Sequence, residues 1–154
     1  MEEEQGTTGG NPGETSSRSD GSITKEGTID EALCAFSPQE RQIAETVASE
    51  GKDVKALPES TISNERSADA LVAGRLTEFK SPYPGASSGT VKNTVNQSIK
   101  GGGQARDIII DARGSGLTHT EAERGLSRVA GITRGKLDNV RIIGDGYNLS
   151  RRYE

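Results

Sequence analysis

The chain has 154 residues, 30% hydrophobic and 27% charged, with a formal net charge of −4, which leaves room for one domain with a modest core. A single histidine excludes a two-histidine ribonuclease mechanism, a single cysteine (Cys34) excludes a disulfide framework and a cysteine-based zinc site, and no apolar run is long enough to span a membrane. The charge is lopsided, with 15 acidic and 7 basic side chains up to Thr77 and 12 basic and 8 acidic from Glu78 onward, so the C-terminal half can meet a polyanion unless its arginines are only a solvated surface.

Residues 1–32 are acidic and rich in Ser, Gly and Thr, with no aromatic residue and few aliphatic ones. Nothing there offsets the entropy of ordering, so the segment reads as a disordered linker and residues 33–154 as the folded domain. The charged N-terminus lacks the apolar core of a signal peptide. It fits a cytosolic chain or the end of a larger exported one. Cys34, near the start of the domain, reads as structural or incidental.

The first helix opens at Ser37-Pro38-Gln39-Glu40. Ser37 suits the N-cap, Pro38 the first helical position, and Glu40 completes a capping box. Ile43, Ala44, Val47 and Ala48 form its apolar stripe, and Gly51 ends it. Glu40 falls in the middle of that stripe, where one carboxylate could both cap the helix and face the sheet.

Asp53 to Pro58 is a short strand ended by proline, followed by a polar connection from Glu59 to Arg66. The run Ser67 to Lys80 then reads as a hairpin turning at Ala73-Gly74. If Val72 pairs with Arg75, Asp69 stands opposite Glu78, and Lys80 shares the face of Glu78 while Thr77 and Phe79 point away. Like charges facing each other destabilise a sheet. Paired carboxylates that persist call for a divalent cation between them, and Lys80 beside it could stabilise developing charge. The plainer reading is the wet face of a half-exposed hairpin. Ala73 is also an imperfect turn residue, and a three-residue loop would separate the two acids.

A loop, Ser81 to Gly89, leads to a second helix with Val91, Val95 and Ile99 on one face and Lys92, Asn96 and Lys100 beside them. It closes at Gly101-Gly102-Gly103. Asp107 to Asp111 is a β-branched run typical of a strand buried on both faces. Arg113 to Gly116 turns out of it, and Thr118 to Glu121 forms a second capping box for a helix reaching about Ala130. Val140 to Ile143 is the last strand. The expected class is α/β (α+β), with a central mixed sheet flanked by helices in the order α-β-β-β-α-β-α-β.

That order, taken with Glu40, Asp69 and Glu78-Phe79-Lys80, resembles the PD-(D/E)xK nuclease superfamily, with Ala68 where its proline would stand. Residues 37–132 also look like the C-terminal tRNA-cleaving toxin domains of contact-dependent growth inhibition (CdiA-type) proteins. The pieces that carry this are Leu57-Pro58-Glu59-Ser60, the stretch from Ala68 to Lys80, and Ala105 to Asp111. The resemblance implies a metal-dependent ribonuclease acting on tRNA in the cytoplasm of a target bacterium. It also implies a larger exported parent and a cognate immunity protein as partner.

The catalytic set would be Glu40, Asp69, Glu78 and Lys80, with Asp69, Glu78 and Glu40 as ligands to Mg²⁺, which suits hard carboxylate oxygens. Lys92, Lys100, Arg113, Arg124 and Arg128 would hold the phosphate backbone, each of them equally readable as part of a solvated face. Few aromatics accompany these cations, which favours backbone contacts over base stacking. Two alternatives stay open. One is a metal-free ribonuclease with His119 as general base and Lys80 stabilising charge; the other is a non-catalytic binding module on a nuclease-like fold.

Overall fold

The computed structural model describes residues 25–58, 68–100, 105–133 and 135–153. In chain order these form β1 (Ile29–Asp30), α1 (Pro38–Ser49), β2 (Val54–Ala56), β3 (Ala70–Val72) and β4 (Arg75–Lys80). Then come α2 (Ser88–Lys100), β5 (Asp107–Asp111), α3 (His119–Arg128) with a 3₁₀ turn at Val129–Gly131, β6 (Asn139–Gly144) and β7 (Tyr147–Arg152).

The seven strands make one mixed sheet in sequential order. Pairings β1–β2, β4–β5 and β5–β6 are parallel and the others antiparallel. Each parallel pairing needs a crossover, and α1, α2 and α3 supply them in turn. The β5 sequence shows why both faces must be covered: Ile108 and Ile110 pack with Val91, Val95, Ala122 and Leu126 of α2 and α3. Ile109, pointing the other way, packs with Ile43, Ala44 and Val47 of α1. The result is a three-layer sandwich with a core on each side of the sheet, and the expected mixed α+β class holds.

The expected order is found inside a longer one, since a strand is added at each end. β1 lies within the segment expected to be linker, ahead of the boundary expected at residue 33. Ile29 packs at the edge of the α1 core, and backbone bonds do the rest. Gly27 donates to Ala48 (2.7 Å) and Val54 to Thr28 (2.8 Å), and the Asp53 carboxylate accepts the Thr28 amide (2.9 Å) and hydroxyl. A Cβ at Gly27 would meet the Lys52 carbonyl oxygen at 2.0 Å. Residues 1–24 of the expected linker lie outside the described residues, as do the polar connection over 59–67 and the triple glycine.

At the other end, β6 and β7 form a hairpin closed by the Gly144–Tyr147 pair. The Asp145-Gly146 corner signals it, since Asp-Gly between extended runs is a strong hairpin marker. The alternation of β7 is masked because Arg151 occupies an inward position alongside Tyr147 and Leu149.

Candidate functional site

The β3–β4 hairpin has the expected register: Val72 pairs with Arg75, Leu71 with Leu76 and Ala70 with Thr77. The turn is a two-residue one with positive φ at both Ala73 (49°) and Gly74 (81°). Holding alanine in this left-handed region costs on the order of 1–2 kcal/mol, which the long pairing of β4 on both sides sustains.

The ladder stops at Ala70–Thr77, and Asp69 closes the hairpin by other means. Its amide donates to the Thr77 carbonyl (3.0 Å) and its carboxylate accepts the Phe79 amide (2.8 Å). Burial pushes the Asp69 carboxyl up to about 6; the Phe79 amide opposes this, Glu40 and Glu78 add to it, and Lys80 counters them.

Glu78 is buried in the sheet, at 3% exposure. One carboxylate oxygen pairs with the Lys80 ammonium at 3.0 Å and the other accepts a hydrogen bond from the Ser98 hydroxyl of α2. Ser98 escaped the sequence reading, though it had a signal. It continues the apolar stripe of Val91 and Val95 at helical spacing and is buried like them, and a polar residue in a core stripe needs a buried partner. Phe79, on the opposite face, meets Phe36 in a tilted ring contact (centroids 5.7 Å apart) and joins the α1 core. The alternation expected of β4 is thus realised.

Glu40 closes the capping box of α1, accepting the Ser37 amide at 2.9 Å while its own amide bonds the Ser37 hydroxyl. It also lines a narrow cleft of about 150 Å³ with Asp69, Cys34, Phe36 and Pro58. Glu40 and Asp69 thus meet in that cleft. Glu78 and Lys80 meet on the α2 side of the sheet, and Lys80 opens on a second cleft of about 350 Å³. Among the described residues no three His, Cys, Asp or Glu side chains are gathered tightly enough to hold a metal ion. The expected three-carboxylate ligand set is therefore not assembled in this conformation. Asp69 and Glu78 each offer hard oxygen donors of the kind Mg²⁺ takes, and Mg²⁺ is commonly held by one or two carboxylates with water and substrate phosphates completing its shell.

The expected backbone-binding cations do not form one patch. Arg113 grips Asp111 through two bonds (2.8 and 3.0 Å) and reaches the Gln42 carbonyl of α1. Arg124 pairs with Glu121 (2.8 Å) and Arg128 donates to the Ser88 hydroxyl (3.1 Å), so both gather at the start of α2. Lys92 is half-exposed on α2 and Lys100 exposed at its end. The second capping box is only half formed: Thr118 caps Glu121, but the Glu121 carboxylate turns to the Ser88 amide (3.0 Å). The start of α2 attracts it because that amide has no partner within its own helix. His119 stacks on Tyr147 (5.3 Å, 12° between planes) and sits 3.7 Å from Glu123, a setting outside the carboxylate cluster.

Asp69, Glu78 and Lys80 lie at the carboxyl end of β4, beside the parallel strands β5 and β6, where open α/β sheets bind their ligands. The contact-dependent growth inhibition CdiA C-terminal domain family matches residues 66–148, a span that begins just before the hairpin and runs into β7. The chain belongs to this family. The fold has a counterpart in the CdiA-CT/CdiI toxin and immunity complex from Burkholderia pseudomallei, with a TM-score of 0.62 over 82% of this chain and 99% of that one at 19% identity. No curated protein matches the chain. Among the described residues, no helix is long and apolar enough to cross a membrane.

Proposed function

We propose that this CdiA C-terminal domain is a metal-dependent endoribonuclease of the PD-(D/E)xK type, a toxin that cleaves tRNA in a target bacterium. The observation that carries this reading is Asp69. It is an acid held half-buried at the hairpin end with its carboxyl pushed up to about 6 by burial, in electrostatic reach of Glu78, Lys80 and Glu40. An acid perturbed by burial and by specific charged neighbours in a cleft is a functional-site candidate.

Asp69 and Glu78 would hold Mg²⁺, with Glu40 adding negative charge from the cleft it shares with Asp69. When bound, the ion would polarise the scissile phosphate and lower the pKa of an attacking water. Lys80, fixed by Glu78 at 3.0 Å, is positioned to stabilise the charge that develops on phosphorus, and such preorganised charge is commonly the largest catalytic contribution. Ser98 holds Glu78 so that both its oxygens are oriented. Family membership and the fold shared with a toxin solved beside its immunity protein support two further parts of the proposal. The domain is the end of a larger exported protein delivered to the target cell's cytoplasm, and a cognate immunity protein binds it in the producing cell.

The test is cleavage of total tRNA by the purified chain with Mg²⁺ and with EDTA, beside Asp69→Ala and a plasmid DNA control. The expected result is tRNA cutting that EDTA and Asp69→Ala each abolish. Cutting that survives both would transfer the chemistry to His119, and DNA cutting alone would refute the ribonuclease assignment.

A further inference from the structure

The second cleft is built unlike the rest of the surface. Tyr83 is 88% exposed, whereas Phe36, Phe79 and Tyr153 are buried. Tyr147 and Tyr153 also spend their hydroxyls on the Leu117 and Leu126 carbonyls. Presenting a large ring to water forgoes the favourable burial of its apolar surface, and here the ring stands in the loop that leaves Lys80. Pro82 and Pro84 flank it, which narrows the backbone freedom on either side. The loop is then pinned by the Gly85 and Ala86 amides, both donating to the Ser115 carbonyl (2.8 and 3.4 Å). A backbone restrained this way loses less entropy when its ring binds.

We infer that the cleft lined by Lys80, Tyr83, Pro84, Thr90 and Thr94 is a base-binding subsite, in which the Tyr83 ring stacks on an unpaired nucleobase next to the phosphate that Lys80 addresses. The inference rests on the nuclease reading for the role of Lys80. The cleft, at about 350 Å³, is within the usual range of small-ligand pockets. Lys80 and Tyr83 are three residues apart, a span of at most about 10 Å, which is the scale of one nucleotide. Thr94 of α2 also lines the cleft. Unpaired bases in loops and ends are what proteins stack on aromatic rings in RNA. The scarcity of aromatics in the sequence favours backbone contacts over base stacking; one ring suffices for a subsite when it is placed at the site.

The experiment is a titration of single-stranded oligonucleotides carrying 2-aminopurine, in RNA and DNA form, with the full chain in EDTA. Stacking quenches the probe's fluorescence. The wild type and Tyr83→Phe should quench it alike. Tyr83→Ala should abolish quenching and weaken binding about tenfold, within the range measured for base–aromatic stacking. Equal quenching by duplex and single strand, no quenching by the wild type, or quenching retained in Tyr83→Ala would each overturn the subsite. RNA quenching alone would identify the source as RNA; equal quenching by DNA would make the subsite indifferent to the sugar. The nuclease reading stands or falls separately: tRNA cleavage abolished by Asp69→Ala with no Tyr83 effect removes only the subsite. Tyr83-dependent quenching without metal-dependent cleavage removes only the nuclease.

Discussion

Asp69 illustrates how a single side chain can be costly to the fold and useful to the site. Its carboxyl, raised by burial to about 6, binds a proton more tightly in the folded chain than in the unfolded one, where an ordinary Asp lies near 3.9. Its stabilising contribution is therefore complete below about pH 4 and lost as the pH rises through 6. The shift corresponds to about 3 kcal/mol at most, reduced to about 1–2 kcal/mol by the solvent that a half-buried group still meets. In EDTA, Asp69→Asn should consequently be about 1–2 kcal/mol more stable than the wild type at pH 8 and equal to it at pH 4, because Asn can still accept the Phe79 amide. The same variant should lose tRNA cleavage. Urea denaturation at the two pH values checks this; a variant destabilised at both would show that Asp69 serves the hairpin alone.

At the scale of elements, the helices on the α2–α3 side are set by one close approach. A Cβ at Gly125 would lie 2.6 Å from the Val91 Cβ, too near for any real pair. Alanine favours a helix interior by about 1 kcal/mol over glycine, but overpacking costs about 1–3 kcal/mol, and here both partners are backbone-proximal atoms that cannot swing aside. Gly125→Ala should lower stability by about 1–2 kcal/mol, with part of the loss recovered when combined with Val91→Ala. A more stable Gly125→Ala single variant would refute the contact. This packing matters for chemistry because the same α2 carries Ser98 to Glu78 and Thr94 to the Tyr83 cleft. The sequence revealed α2 through its Val91–Val95 spacing, and it revealed the hairpin register through the Ala73-Gly74 corner, because both are local patterns. Ser98 against Glu78 and Glu121 against Ser88 were hidden because they join residues 20 and 33 positions apart, and such contacts exist only once the layers have packed.

For the whole molecule, the short N-terminal strand matters more than its two paired residues imply. Composition could not reveal it, since a single apolar residue, Ile29, packs on the α1 core and backbone bonds supply the rest of its attachment to α1 and β2. The segment just after it secures the entrance to the site: the Glu31 carboxylate accepts the Phe36 amide (2.8 Å) and pairs with Arg41 of α1, fixing the turn of helix that carries Glu40. A chain beginning at residue 33 therefore removes β1, exposes β2 as a sheet edge open to wrong pairing, and frees the start of α1. A chain beginning at residue 25 keeps all three. The shorter form should have a lower urea midpoint, by the equivalent of about 1–3 kcal/mol from the lost backbone bonds. Its tRNA cleavage should fall even at temperatures where it remains folded, because Glu40 and the Asp69 cleft share that loosened helix end. Equal midpoints would show that β1 only decorates the sheet. Equal stability with reduced cleavage would place its whole effect on the positioning of α1.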